Sequence, residues 1–210
     1  MPDKHEWRKK EKYLYLPKEK PEVIDVPAFR FITLRGEGSP AGERFSEIIG
    51  TLYSIAYGIK MLPKRMETKP NGYFDFTVYP LEGVWDINDE AKKTFSGTVN
   101  KEDFVYELMI RQPDFVDEEF YSEIFKAVKK KKHNPLLELM EFKAISEGKC
   151  IQMLHVGKYE DEPLSFQKME QFSKSEGYSR TSKVHREIYL SDARKVSPEK
   201  LKTVLRFKIA

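Results

Sequence analysis

The order in which hydrophobic periodicity changes along the chain limits its fold more than any other property of the sequence. Glu22 to Arg35 alternates and is rich in β-formers, with Phe29, Phe31 and Thr33 on one face and Ile32 and Leu34 on the other. Gly36-Glu37-Gly38-Ser39-Pro40 breaks that strand, and Ser39 with Pro40 reads as a helix start. Phe45, Ile48, Ile49, Leu52, Ile55, Ala56 and Ile59 then recur at helical spacing until Pro63. A turn at Lys69-Pro70-Asn71-Gly72 precedes a second strand, Tyr73 to Val78, which runs on through a kink to Trp85, and Phe104 to Arg111 alternates again. Asp117 opens a second helix with Phe120, Ile124, Ala127 and Val128 as its stripe.

The same order then recurs. Leu136 to Ile145 and Lys149 to Val156 are strand-like, Asp161-Glu162-Pro163 starts a helix bearing Leu164, Met169 and Phe172, and Gly177 caps it. Strands at Val184 to Leu190 and Leu201 to Ile209 follow, separated by a turn at Ser197-Pro198. Strand, helix, strand, strand occurring twice is not a βαβ alternation, so a doubly wound parallel sheet is not expected. The pattern predicts an α+β fold of two strand-helix-strand-strand modules with antiparallel sheets and a ligand cleft between them, since such junctions commonly hold small-molecule sites. Module one spans about 21–113, a connecting helix about 117–132 and module two about 136–210, with residues 1–20 as an arm laid over the surface.

Composition narrows the partners. The net charge is +3, from 37 basic against 34 acidic side chains, and leaves no nucleic-acid footprint; Lys129 to Lys132 ends a helix, where cations complement the macrodipole. No apolar stretch approaches the ~20 residues that span a bilayer, so no membrane association is expected. The single Cys150 excludes an intrachain disulfide and a cysteine-rich zinc site, and it suits a reducing cytoplasm. Four histidines at 5, 133, 155 and 185 show no ligand spacing, so neither a metal nor another cofactor is expected. Fourteen Phe and 11 Tyr among 210 residues suit sheets or a ring-lined cleft.

One stretch carries polar groups that an ordinary core strand avoids. From Val184 to Asp192, alternation puts His185, Glu187 and Tyr189 on one strand face and Val184, Ile188 and Leu190 on the other. A carboxylate among Trp and Tyr rings binds more strongly to cations than one in water, and the rings add flat contact area.

Several segments resemble the GyrI-like small-molecule-binding family: Tyr79 to Trp85, Cys150 to Gly157, His185 to Asp192 and Lys202 to Arg206, all in the family's order. Even His5-Glu6-Trp7-Arg8-Lys9-Lys10 looks like the start of its stand-alone branch. The resemblance implies two modules related by pseudo-twofold symmetry and a cleft that takes flat aromatic, often cationic, compounds against a buried Glu, here Glu187. Some stand-alone members hydrolyse cyclopropane-bearing DNA-alkylating natural products. The chain departs from the family in having Asp86, not a second tryptophan, after Trp85. No helix-turn-helix is legible ahead of the first module, so a transcription activator is not expected.

These readings lead to a cytoplasmic protein that captures aromatic or cationic small molecules for sequestration or detoxification. The alternatives are a hydrolase opening cyclopropane rings and, in a different class, a protein-interaction module. The candidate catalytic residues are Glu187, Tyr189 and Glu82; Glu187 or Glu82 would position or deprotonate water, while Tyr189 or Tyr79 would donate to the oxygen that gains charge. Tyr79, Trp85, Tyr106, His155 and His185 are candidate ligand contacts, with Tyr53 and Tyr57 beside the stripe of the first helix. His155 invites a metal or general-base role, but on a strand and without ligand spacing it reads rather as a hydrogen-bonded structural residue.

Overall fold

Pro27 has no amide hydrogen to give a sheet, and there the alternating stretch expected to be one strand breaks in two. The computed structural model describes residues 4–131 and 133–210. In chain order it contains two short helices, α1 (Trp7–Lys10) and α2 (Lys12–Tyr15), then β1 (Glu22–Val26), β2 (Phe29–Glu37) and a long helix, α3 (Glu43–Met61). After these come β3 (Leu81–Ile87), α4 (Asp89–Thr94), β4 (Phe104–Gln112) and α5 (Glu118–Lys129). The remainder is β5 (Glu141–Ile145), β6 (Gly148–Val156), α6 (Glu162–Ser175), β7 (His185–Tyr189) and β8 (Lys202–Lys208). The fold is α+β, and every strand pair described below is antiparallel. Among the described residues no helix is long and apolar enough to cross a membrane.

The chain divides into two compact units. The first takes the residues up to Glu6, Phe29–Tyr79 and Ile87–Ile145. Its sheet centres on β2, which pairs with β4 (Ile32 opposite Ile110) and with β5 (Ile32 opposite Phe142). Phe31 to Leu34 are buried on both faces of the strand. Helix α3 lies against β2 and β4 and presents Ile48, Leu52, Ile55, Ala56 and Ile59, all fully buried, while α5 lies against α3. The helix begins at Glu43 and not at Ser39, because Ser39 is spent on a turn: its carbonyl accepts from Gly42 N and its hydroxyl from Ala41 N. Asp117 accepts from Phe120 N and caps α5 as its sequence suggests.

Tyr73 to Val78 does not form the expected strand. Its backbone makes an isolated bridge to His5, through His5 N to Asp75 O at 2.7 Å and Thr77 N to His5 O at 2.9 Å. Its alternation reflects ring packing, with Tyr73, Phe74 and Phe76 all against Phe115 at 5.3–6.0 Å between centroids. Leu136 to Ile145 is likewise only half strand: Asn134 and Pro135 start a 3-10 turn over Pro135–Leu139, and β5 begins at Glu141.

The second unit takes Trp7–Ala28, Pro80–Asp86 and Ser146–Ala210. Its strand order is β1, β6, β8, β7, β3. Helix α6 covers β6, burying Met169 among Ile151, Met153, Leu205 and Phe207. The charged N-terminal segment does not lie over the surface. Trp7, Leu14 and Tyr15 are 3%, 1% and 3% exposed, while Arg8, Lys9, Lys10, Lys12 and Tyr13 face solvent.

Candidate functional site

Strand β7 has to satisfy two buried faces, and each is built around charge. On one face, Arg186 donates to Glu82 Oε2 at 2.6 Å and pairs with Glu147 Oε2 at 3.0 Å. Arg206 on β8 pairs with Glu147 Oε1 at 2.8 Å and donates to Gln152 Oε1. Two arginines thus face two glutamates; the charges of Arg186 and Arg206 hold the Glu147 carboxyl below its usual range despite its desolvation. This network extends through Gln152 and Arg206 to the carbonyls of Tyr13 and Leu14, and it fixes the back of the strand.

The other face carries unbalanced acid. Gly83 lies opposite Glu187 in the β3–β7 register, and Trp85 lies opposite His185. Trp85 Nε1 donates to the Tyr189 hydroxyl at 2.8 Å, and His185 Nε2 lies 3.0 Å from Glu187 Oε1. Helix α6 and the loop before it bring a second set of groups to the same place. Tyr159 meets the Tyr189 ring edge-on at 6.3 Å, Phe166 meets the His185 ring at 4.7 Å, and Glu162 comes close enough to Glu187 for the charge of that carboxyl to act on it. Glu162 and Glu187 are 7% and 8% exposed, so the contact between the two carboxyls is out of water.

Like charges in such a place cannot both be present, and one proton is retained. Desolvation, then the charge and proximity of Glu187, push the Glu162 carboxyl well above the usual range, so Glu162 favours its protonated form. Glu162 Oε1 is buried with no hydrogen-bond partner among the described residues. Both tyrosines are held as neutral hydroxyls. Tyr159 is pushed up to about 12 by desolvation and by Glu187 and Glu162. Tyr189 is pushed well above its ordinary value by desolvation and the same two carboxyls, with the hydrogen bond from Trp85 pulling the other way. Trp85 thus donates to the Tyr189 hydroxyl, and Tyr189 and Tyr159 both stand where the charges of Glu187 and Glu162 act on them.

Four residues expected from the sequence therefore stand together: Glu187, Tyr189, Trp85 and His185. Glu82 does not join them, because it leaves the strand on the opposite face and is held by Arg186. His155 is buried on β6 between Ser165 Oγ and Lys158 O. The other four candidates belong to the first unit. There Tyr79 stacks near Arg111 at 4.6 Å, Tyr106 packs on Phe45 and beneath Gly36, and Tyr53 and Tyr57 sit 6.1 Å apart on α3 with Tyr57 half exposed. Glu162, Tyr159 and Phe166 are the groups sequence reasoning missed. Among the described residues no cluster of three or more His, Cys, Asp or Glu side chains is placed to hold a metal ion.

Residues 19–210 match the family model described as the GyrI-like small molecule binding domain. No curated protein is significantly similar to the chain. Among solved structures, one described as a hydrolase from Listeria innocua is 38% identical, covering 99% of this chain and 100% of its own, with a TM-score of 0.87. A second Listeria innocua structure with the same identity, coverage and TM-score is described as an uncharacterized conserved protein. The EcmrR C-terminal domain shares the fold, at 14% identity over 91% of this chain and 97% of its own, with a TM-score of 0.54.

Proposed function

The chain belongs to the GyrI-like small-molecule-binding domain family, and from that premise we propose that it hydrolyses a flat, electrophilic small molecule held against Glu162 and Glu187. The buried pair carries this reading. Capture of a guest requires one carboxylate and some rings; a carboxyl kept protonated beside a second carboxyl gives a base and a further oxygen that together hold an attacking water, which is the equipment of general-base catalysis. The Listeria innocua structure described as a hydrolase, alike over the whole chain, supports the same choice.

A cyclopropane conjugated to a dienone, the substrate implied by the family resemblance, fits that equipment. Water attacks a ring carbon, the new C–O bond forms as the strained C–C bond breaks, and the electron pair passes through the dienone to its oxygen, which takes a proton from solvent. The proton lost by water goes to Glu187. Glu162 Oε1, buried and unpartnered, is the acceptor for the second hydrogen of that water, so the two carboxyls hold it from both sides. Tyr189 keeps Glu187 aimed, and Trp85, Phe166 and Tyr159 give the flat face of the substrate its contact surface.

The test is incubation with a cyclopropane-bearing alkylator, read as water adduct by mass. Wild type should turn it over, and Glu187→Gln and Glu162→Gln should each lose about 100- to 10,000-fold in kcat, the usual worth of a positioned acid or base. Trp85 fluorescence should still report binding in both variants. Binding by wild type with no adduct would instead support sequestration, which the rings around a net negative pair would serve through cation–π attraction.

A further inference from the structure

Glu162 sits at the start of a helix, where chain ends fray and small rotations displace a side chain, yet the acid pair works only if the two carboxyls meet. What holds it lies underneath. His155 is 5% exposed and both of its ring nitrogens are engaged: Nε2 lies 2.9 Å from Lys158 O, and Nδ1 lies 2.9 Å from Ser165 Oγ. A carbonyl only accepts, so Nε2 carries the hydrogen, and in the neutral ring Nδ1 accepts from the serine hydroxyl.

These two partners bracket the site segment. Lys158 precedes Tyr159, and Ser165 lies one helical turn after Glu162 on α6. Gly157 makes the wrap possible, since it adopts φ +141°, a conformation that suits glycine. Gly157 N also donates to Leu201 O at 3.0 Å and Asp161 N to Lys158 O at 3.0 Å, so the loop has no slack of its own. A serine paired to a histidine invites a nucleophile, but the other ring nitrogen of this histidine is spent on the Lys158 carbonyl and no carboxylate among the described residues orients it, so the pair fastens the loop to the helix.

We propose that His155 is a positioning residue for the acid pair, gripping Lys158 and Ser165 so that Tyr159 meets Tyr189 and Glu162 meets Glu187. This rests on the hydrolase reading only for its effect on rate; the placement of Glu162 is independent of it. The groups around Glu162 are Glu187 and Tyr189 from β7, and Tyr159 and Glu160 from the loop.

The experiment follows the Glu162 carboxyl by carbon-13 NMR across pH in the full chain, for wild type, His155→Ala, His155→Gln and Ser165→Ala, together with the pH profile of turnover of the cyclopropane-bearing alkylator. His155→Ala should bring the Glu162 midpoint down toward an ordinary carboxyl and lower kcat on the order of 100-fold, the cost of a displacement near 1 Å, with KM little changed. His155→Gln, whose amide reaches Lys158 O, should restore most of both. Ser165→Ala should move the midpoint in the same direction by less. An unchanged Glu162 midpoint in folded His155→Ala overturns the proposal. If that variant does not fold, an unchanged midpoint and pH profile in Ser165→Ala overturns it. Should wild type bind the alkylator without turnover, the hydrolase reading fails while the midpoints still decide the role of His155.

Discussion

Burying Glu162 beside Glu187 makes one acid of the pair a liability to folding, and this sets a measurable pH dependence. Its folded carboxyl lies well above the value of 4.5 it has when exposed, because desolvation and the neighbouring charge favour the protonated form. Its contribution is therefore fully present below about pH 4.5 and is lost as pH rises through the folded value. Glu162→Gln keeps an N–H donor toward Glu187 without any proton to lose. Thermal unfolding should show this variant with a higher Tm than wild type at neutral to alkaline pH, the gain vanishing near pH 4.5; equal Tm at all pH values would mean Glu162 is not held protonated. None of this is legible in the sequence, where an acid before Pro163 reads as a helix-dipole partner, the commonest reason for an acid in a first turn. Glu187 was legible because a strand rarely carries a carboxylate between His and Tyr on one face. Arg186 was not, because alternation assigns it to a face expected to be apolar, and only the fold brings Glu82 and Glu147 beneath it.

The N-terminal helices show how charge can hide a core element. Arg8 to Lys12 contains five charged residues in succession and reads as solvated, but Trp7, Leu14 and Tyr15 recur seven and eight positions apart and fall on one side. Trp7 meets the Tyr15 ring at a tilt, centroids 5.2 Å apart, with Arg8 over its own ring, and the carbonyls of Tyr13 and Leu14 accept from Gln152 and Arg206. This segment therefore covers the buried ion network that backs β7. Trp7→Ala should cost about 3–5 kcal/mol in urea unfolding, the range for a buried large aromatic, whereas a loss below about 1 kcal/mol would place the segment outside the core. The opposite error occurred at Tyr73 to Val78, where strict alternation was real but served ring packing. Periodicity reports which side chains are buried, and the hydrogen-bond partner that makes a strand is a separate condition.

At the scale of the whole chain, the repeated strand-helix-strand-strand order correctly announced α+β folding and antiparallel sheets. It could not assign strands to sheets, because pairing is a long-range choice that local pattern does not contain. Strand β1 precedes β2 by two residues yet pairs with β6, and β5 precedes β6 by two residues yet pairs with β2. The second unit is consequently assembled from three separated segments, and residues 29–79 and 87–145 of the first unit are the connections between them. Unfolding the first unit would convert both connections into long flexible loops, and closing them again costs entropy that the folded connections do not. The same holds in reverse for the first unit. Loss of one unit therefore weakens the other through the chain itself. Trp7 and Trp85, the two tryptophans, both belong to the second unit, whereas far-ultraviolet circular dichroism sees the helices of both. Urea unfolding followed by tryptophan fluorescence and by circular dichroism should give coincident transitions with one midpoint. A fluorescence transition complete while the signal of α3 and α5 persists would show that the interleaved strands leave the units independent.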